Sequence, residues 1–139
     1  MPPEQDFRRK GHSPSALSAH VLVVEDDADV LALLEVHLTK LGARVTRAAS
    51  GEEAMERAEQ DPPDVVIADI ILPGLDGREL YDALRSAPRT ARTPIIAATV
   101  LEREEIGRHF DGCISKPFDR ADVARVLAPF LEDASAKER

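Results

Sequence analysis

The sequence predicts an α/β fold in which five strands alternate with five helices, and two observations support this prediction. Three short apolar runs have the length and side chains of strands buried on both faces of a sheet: 20–24, 65–68 and 93–99. Between and after these runs, apolar residues recur at helical spacing. Strand–helix alternation of this kind implies right-handed crossovers and a parallel sheet covered by helices on both sides.

Length and composition limit the classes of protein that the chain can represent. Its 139 residues, 43% hydrophobic and 32% charged, are typical of one soluble globular domain. The formal net charge of -8 argues against a nucleic-acid surface, which requires clustered lysine and arginine. The single cysteine, Cys113, excludes an internal disulfide and fits a reducing compartment. Because no signal peptide or long apolar run is present, we expect a cytoplasmic protein without membrane contact.

The two ends of the chain differ in composition from the middle. Residues 1–19 contain three prolines, mixed charges and no apolar periodicity, which predicts a disordered N-terminal tail. Residues 20–132 form the predicted domain, and residues 133–139 are predicted to be a polar C-terminal tail. No pattern of a DNA-binding, cyclase or kinase domain follows, so we expect a single-domain protein.

The first half of the chain predicts two strands and two helices. The run 20–24 ends on acidic residues and precedes a helical stripe that Gly42 stops. Residues 43–48 alternate apolar and polar, as a strand at a sheet edge does. Ser50 and Glu53 have capping-box spacing and open a second helix. The stripe of the first helix comprises Val30, Leu33, Leu34, Leu38 and Leu41.

The second half continues the alternation. The run 65–68 ends on Asp69 and a Pro- and Gly-containing loop, after which Leu80, Tyr81 and Leu84 define a helix. A short helix is predicted within 102–109 and a brief fifth strand around 113–114. The last helix has the stripe Val123, Val126, Leu127, Phe130 and Leu131. With the alternating second strand at an edge, the fold is predicted to be flavodoxin-like and doubly wound, with strand order 2-1-3-4-5.

This order brings five polar residues to the carboxyl edge of the sheet. They are Glu25, Asp26, Asp69, Thr99 and Lys116. Three clustered carboxylates repel one another and require a cation, and an all-oxygen ligand set suits Mg²⁺. Asp69 then becomes a nucleophile for an acyl phosphate, with Thr99 as hydroxyl donor and Lys116 as fixed positive charge. Each residue also has a structural alternative, such as an N-cap role for Asp26 or Asp27, a strand-end role for Thr99 or a solvated charge for Lys116.

Four segments in order, V-V-E-D-D, I-A-D-I-I-L-P-G-L-D-G, I-I-A-A-T and S-K-P-F, resemble the receiver domain of bacterial two-component response regulators, of the stand-alone type. The resemblance covers about residues 20–132. It implies that Asp69 is the phosphoacceptor and that Asp26, paired with Glu25, is a direct Mg²⁺ ligand. The backbone carbonyl of Ile71 would complete the protein ligands. Thr99 would follow the phosphoryl group, and Lys116 would contact it beside a cis bond to Pro117.

Three departures from the family pattern concern signalling. Val100 occupies a position where the family usually has a small residue, which narrows access to the phosphoryl pocket. Cys113, three residues before the lysine, replaces the family's usual aromatic switch residue. The segment between Thr99 and Cys113 is several residues shorter than usual, so we expect a short fourth helix. Phe110 is either a substitute for the missing ring or a plain core residue.

The resemblance implies a single-domain response regulator that receives phosphate from a histidine kinase or histidine phosphotransfer protein. It would signal by docking to a downstream protein, as a monomer or weak dimer, and would catalyse only its own phosphorylation and dephosphorylation. A phosphorylation-independent adaptor remains a second possibility. A phosphohydrolase of the haloacid-dehalogenase type needs an acid two residues after the nucleophile, where this chain has Ile71. A nucleotide-binding P-loop is excluded because its sequence pattern is absent.

Overall fold

Five parallel strands form one sheet in the computed structural model of the protein, which describes residues 19–106 and 109–137. The strands occur in the order β2-β1-β3-β4-β5, as the sequence predicted, with β2 at one edge. Of the five, β2 has the exposed and half-buried positions expected there. The strands are β1 (His20–Val24), β2 (Arg44–Ala48), β3 (Val65–Ala68), β4 (Ile95–Thr99) and β5 (Gly112–Ser115).

Helices cover both faces of the sheet because successive strand residues point to opposite sides. Val21 and Val23 of β1 pack in a core with the inner residues of the first and fifth helices, whereas Leu22 and Val24 pack with those of the second and third. The helices are α1 (Ala28–Lys40), α2 (Gly51–Gln60), α3 (Gly77–Ser86), α4 (Arg103–Ile106) and α5 (Arg120–Lys137). The predicted short fourth helix is therefore confirmed.

Side-chain caps begin α1, α2 and α3, where the preceding strand-end loops stop. Ser50 Oγ accepts the Glu53 N–H at 3.1 Å, as predicted for α2. Asp76 caps α3 in a reciprocal capping box with Glu79. Asp27 caps α1 by accepting from two backbone N–H groups. Of the two N-cap alternatives, Asp27 is therefore confirmed and Asp26 is wrong.

Both predicted tails differ from the structure at their inner boundaries. Ala19, assigned to the N-terminal tail, is fully buried, and its carbonyl accepts the Arg44 N–H at 2.8 Å. The remaining residues of that tail, 1–18, lie outside the described residues. Helix α5 continues through residues 133–137, since no glycine or proline follows Leu131 and alanine favours the helix. Within the described part of the chain, no helix combines the length and apolar character needed to cross a membrane.

Candidate active site

The candidate nucleophile, Asp69, follows the central strand β3 at the carboxyl edge of the sheet. Its N–H donates to the Val24 carbonyl of β1 at 3.0 Å, which extends the strand pairing to the site. Two contacts hold the side chain: Oδ1 accepts the Ile71 N–H at 3.1 Å, and Oδ2 accepts Lys116 Nζ at 2.8 Å. Asp69 is nearly buried, with 7% of its surface exposed, and it lies where the loop between β3 and α3 begins.

Lys116 joins β5 to the acidic residues. Its backbone N–H donates to the Thr99 carbonyl at 3.0 Å, and its peptide bond to Pro117 is cis, as the resemblance implies. The ammonium group contacts Glu25 Oε1 at 2.7 Å as well as Asp69. Burial lowers the pKa of Lys116, but the hydrogen bonds to these two carboxylates outweigh burial and raise it. The solvated-charge alternative for Lys116 is therefore wrong, because its half-buried ammonium group binds two acids.

The three predicted acidic residues lie together. One carboxylate oxygen each of Glu25, Asp26 and Asp69 lie within 4.8 Å of one another, with Asp26 exposed and the other two buried. Burial raises the pKa of Glu25, and the hydrogen bond from Lys116 opposes this effect. Hard oxygen ligands, with one ligand open to water, fit the preference of Mg²⁺. These residues are therefore suited to hold a magnesium ion.

Thr99 ends β4 and is completely buried. Its hydroxyl accepts the Leu101 N–H at 3.4 Å, while the Thr99 carbonyl binds the N–H of Lys116. The structure thus places Thr99 beside the lysine, as predicted, with its hydroxyl bound to the following loop. A change of hydroxyl partner would alter the position of Leu101.

An apolar surface borders the site and was only partly visible in the sequence. A cavity of about 260 Å³ is lined by Val30, Leu33, Val100, Lys116, Pro117 and Phe118. Leu33 was predicted to face the core, but it is 43% exposed because the inner face of α1 is filled by Leu31, Leu34 and Leu38. Val100 is 67% exposed and contributes to this outer cavity. The sequence pattern singles out Val100 but places Leu33 in the inward-facing stripe, so only part of this surface could be found from the sequence.

With the site geometry established, comparison with known proteins gives the family. The family model described as the response regulator receiver domain matches residues 21–128. The chain belongs to this family. A protein of Leptolyngbya boryana, described as an uncharacterized 14.6 kDa protein, is 33% identical over 115 residues, covering 79% of this chain and 88% of that protein.

Other relatives of this receiver domain are longer. The alkaline phosphatase synthesis transcriptional regulatory protein PhoP of Bacillus subtilis is 35% identical over 120 residues. That match covers 81% of this chain and 48% of PhoP, so the chain spans about half the length of that regulator.

Solved receiver structures have the same fold. The chemotaxis response regulator CheY4 of Vibrio cholerae superposes with a TM-score of 0.77 at 28% identity, covering 82% of this chain and 99% of CheY4. The receiver domain of the sensor histidine kinase PA1611 from Pseudomonas aeruginosa has a TM-score of 0.77 at 32% identity, covering 83% and 98% of the two chains. That domain holds a magnesium ion coordinated in its active-site cleft.

Proposed function

We propose that this receiver domain accepts a phosphoryl group on Asp69 from a histidine kinase or histidine phosphotransfer protein, in a Mg²⁺-dependent reaction in the cytoplasm. The main support is the position of Lys116, whose ammonium group lies 2.8 Å from Asp69 and 2.7 Å from Glu25. Such a cation beside a nearly buried carboxylate suits the stabilisation of added phosphoryl charge.

In the proposed reaction an Asp69 carboxylate oxygen attacks the phosphorus of a phosphohistidine. A new O–P bond forms while the P–N bond breaks, and the departing imidazole retains the electron pair of that bond. The Ile71 N–H holds one Asp69 oxygen in position for this attack. Lys116 then donates to one phosphoryl oxygen, and the Thr99 side chain moves towards the phosphoryl group so that its hydroxyl donates to another.

Glu25, Asp26 and Asp69, with the Ile71 backbone carbonyl, would hold the magnesium ion. The ion would supply electrostatic neutralisation of the phosphoryl oxygens when bound. The donor set supports this assignment because all three carboxylates can reach one centre. Asp26, the exposed member, contributes negative charge at the point where the phosphodonor enters.

The apolar surface next to the site supports docking of the phosphodonor protein. Leu33 of α1 is 43% exposed and Val100 is 67% exposed, and both line the cavity beside Lys116. A partner that covers these side chains removes apolar area from water while it brings its histidine to Asp69. Signal output would then follow by docking to a downstream protein. Each molecule modifies itself, so it is not an enzyme with turnover on a separate substrate.

Incubation with Mg²⁺ and acetyl phosphate, followed by intact mass measurement, tests the proposal. We expect wild-type protein to gain the mass of one phosphoryl group, and Asp69→Asn to gain none. Asp82→Asn is the matched control, since Asp82 is an exposed carboxylate on α3 away from the site. Removal of Mg²⁺ with a chelator should stop the reaction.

Phosphorylation of Asp69→Asn at the wild-type rate would show that another residue accepts the group. A wild-type protein that gains no mass from either acetyl phosphate or a phosphorylated histidine phosphotransfer protein would instead favour the phosphorylation-independent adaptor.

A further inference from the structure

A small apolar cluster connects the candidate site to the short helix α4. Ile70, Ala97 and Ile106 are buried in it, and Leu101, Phe110 and Cys113 pack against it. Ile70 follows Asp69 directly, and Leu101 donates its N–H to the Thr99 hydroxyl. Both sides of the site therefore contact the same cluster, which we call the α4 cluster.

Phe110 extends from the α4 cluster to the surface of α3. It packs against the core beneath α2 and α3 as well, and its ring centroid lies 5.2 Å from that of Tyr81 at an interplanar angle of 50°. Cys113 is half-buried and provides no ring at the position where receivers usually have one. Phe110 is therefore the aromatic residue that links the α4 cluster to a surface side chain.

The Tyr81 ring contacts Arg85 on one side and residues of the loop after α4 on the other. Arg85 lies 4.9 Å from the Tyr81 ring centroid, and its guanidinium donates to the Thr93 carbonyl at 2.6 Å and to Asp111 at 2.8 Å. On the other side, the His109 ring lies 5.8 Å from the Tyr81 ring. Because two hydrogen bonds hold Arg85 in place, a shift of the loop would change the Tyr81 contacts with His109 and Phe110.

Helix α4 has little structure of its own to resist such a shift. It is four residues long, and a bond from Arg78 of α3 to the Glu105 carbonyl ties it to α3. A helix of this length depends on tertiary contacts for its stability. Its position therefore depends on the same cluster that contacts the phosphorylation site.

We propose that phosphorylation of Asp69 is transmitted through Leu101 and Phe110 to Tyr81, so that it changes the surroundings of the Tyr81 ring on the surface of α3. This proposal rests on the proposed function, because it requires a phosphoryl group on Asp69. When the Thr99 side chain moves to donate its hydroxyl proton to that group, its oxygen moves away from the Leu101 N–H, and the α4 cluster repacks. Phe110 then changes its contact with Tyr81.

Tyrosine fluorescence tests this route directly, since Tyr81 is the only tyrosine and the chain contains no tryptophan. Emission intensity and iodide quenching would be measured with Mg²⁺ alone and after acetyl phosphate addition, with intact mass recorded on the same samples. We expect phosphorylation to change both signals in wild-type protein, and Asp69→Asn to show neither change.

Phe110→Leu should gain the phosphoryl mass normally but lose more than half of the wild-type fluorescence change. Phe130→Leu is the matched control, because Phe130 packs on the opposite face of the sheet with α5, and it should keep the full change. If Phe110→Leu does not fold, Phe110→Met provides the same comparison with a flexible apolar side chain of closer size.

The two proposals fail in different ways. No mass gain in wild-type protein contradicts the proposed function itself. A normal mass gain without a Tyr81 signal, or an undiminished signal in Phe110→Leu, overturns the Tyr81 route and leaves the phosphorylation proposal intact.

Discussion

The two oxygens of Asp69 have different contacts: one accepts a backbone N–H, and the other accepts the ammonium of Lys116. Glu25 is held in the same way, by the Asp27 N–H and by Lys116. The place of Asp69 at a strand end made it predictable from sequence, because parallel strands bring their carboxyl ends to one edge. The exposure of Leu33 could not be predicted in the same way. Several neighbouring residues of its helix are apolar, and the sequence does not show which of them face the core.

The lifetime of the phosphorylated form is a prediction at the residue scale. Hydrolysis of an acyl phosphate requires a water in line with the breaking bond, and a polar side chain beside the site can hold it there. The side chains beside the site lie two positions after Asp69 and two positions after Thr99. They are Ile71, which is 55% exposed, and Leu101, which is half-buried. Neither can hydrogen-bond a water, so we expect a phosphorylated form that is long-lived for this family.

Decay of the phosphorylated mass after removal of acetyl phosphate measures this lifetime. The double variant Ile71→Asn, Leu101→Glu should lose phosphate on the order of tenfold faster, a barrier difference of about 1.4 kcal/mol. Ile71→Val serves as the control because it keeps the rim apolar. Wild-type phosphate lost within seconds, or a double variant no faster than wild type, would contradict the prediction.

His20 gives a prediction for pH dependence far from the acidic cluster. It is 3% exposed, and its Nε2 lies 2.7 Å from Thr46 Oγ1. Burial lowers the pKa of His20, the Arg44 charge lowers it further, and the Asp61 carboxylate opposes them. Because the unfolded chain binds the proton more readily, this contribution to stability is present above the unfolded pKa and is lost as pH falls through the folded pKa.

Urea unfolding at pH 7.5 and pH 5.5 tests the His20 prediction. We expect the unfolding free energy of wild-type protein to decrease more on acidification than that of His20→Gln, which keeps a polar group near Thr46 but does not titrate. Equal decreases in the two proteins would assign the pH dependence to other groups.

At the scale of elements, the start of α3 is constrained by the loop that contains Asp69. Gly77 is the first residue of α3, and its N–H donates to the Ile70 carbonyl at 2.9 Å. A Cβ at this position would lie 2.5 Å from both the Asp69 carbonyl oxygen and the Ile70 Cα. Since both neighbours are backbone atoms, a side chain there must displace the loop of the candidate nucleophile.

Gly77→Ala should therefore destabilise the protein by about 1–3 kcal/mol, the usual cost of overpacking, and also slow phosphorylation of Asp69. Gly112→Ala is the matched control, because its Cβ would first meet a Val126 methyl at 3.3 Å. Urea unfolding and the rate of mass gain would measure the two effects. A smaller loss of stability in Gly77→Ala than in Gly112→Ala would contradict the close backbone contact.

The helices that were predicted correctly begin with patterns of residues that lie close together in the sequence. The capping residues Ser50 and Asp27 begin helices by contacts within three residues along the chain, so short sequence patterns were sufficient. The contact between Phe110 and Tyr81 joins a loop to a helix that are distant in sequence. No periodicity predicts such a pair, which explains why the sequence left the role of Phe110 open.

At the scale of the whole molecule, the strand order concentrates negative charge at one edge of the sheet. The order β2-β1-β3-β4-β5 places the ends of β1 and β3 side by side, so that Glu25, Asp26 and Asp69 meet at one edge. Lys116 offsets part of this charge through Glu25 and Asp69, but Asp26 is exposed and receives no contact from it. Stability of the domain should therefore respond to a divalent cation.

We expect Mg²⁺ to raise the melting temperature of the wild-type protein, because the ion binds the folded site and reduces repulsion among the carboxylates. At a concentration 100 times the dissociation constant, such binding adds about 2.7 kcal/mol to the unfolding free energy. Asp26→Asn should reduce or abolish this increase and should raise the melting temperature without metal, since one repelling charge is gone. Thermal unfolding with and without Mg²⁺ measures both effects.

Asp27→Asn is the control that separates metal binding from the loss of any negative charge at this edge. Asparagine caps a helix about as well as aspartate, so α1 keeps its N-cap, and Asp27 is not among the three clustered ligands. This variant should keep most of the Mg²⁺-dependent increase. If Asp26→Asn and wild-type protein show equal increases, Asp26 is not a ligand. If Asp27→Asn loses as much as Asp26→Asn, the effect comes from the general acidic field of the edge, which added salt would then screen.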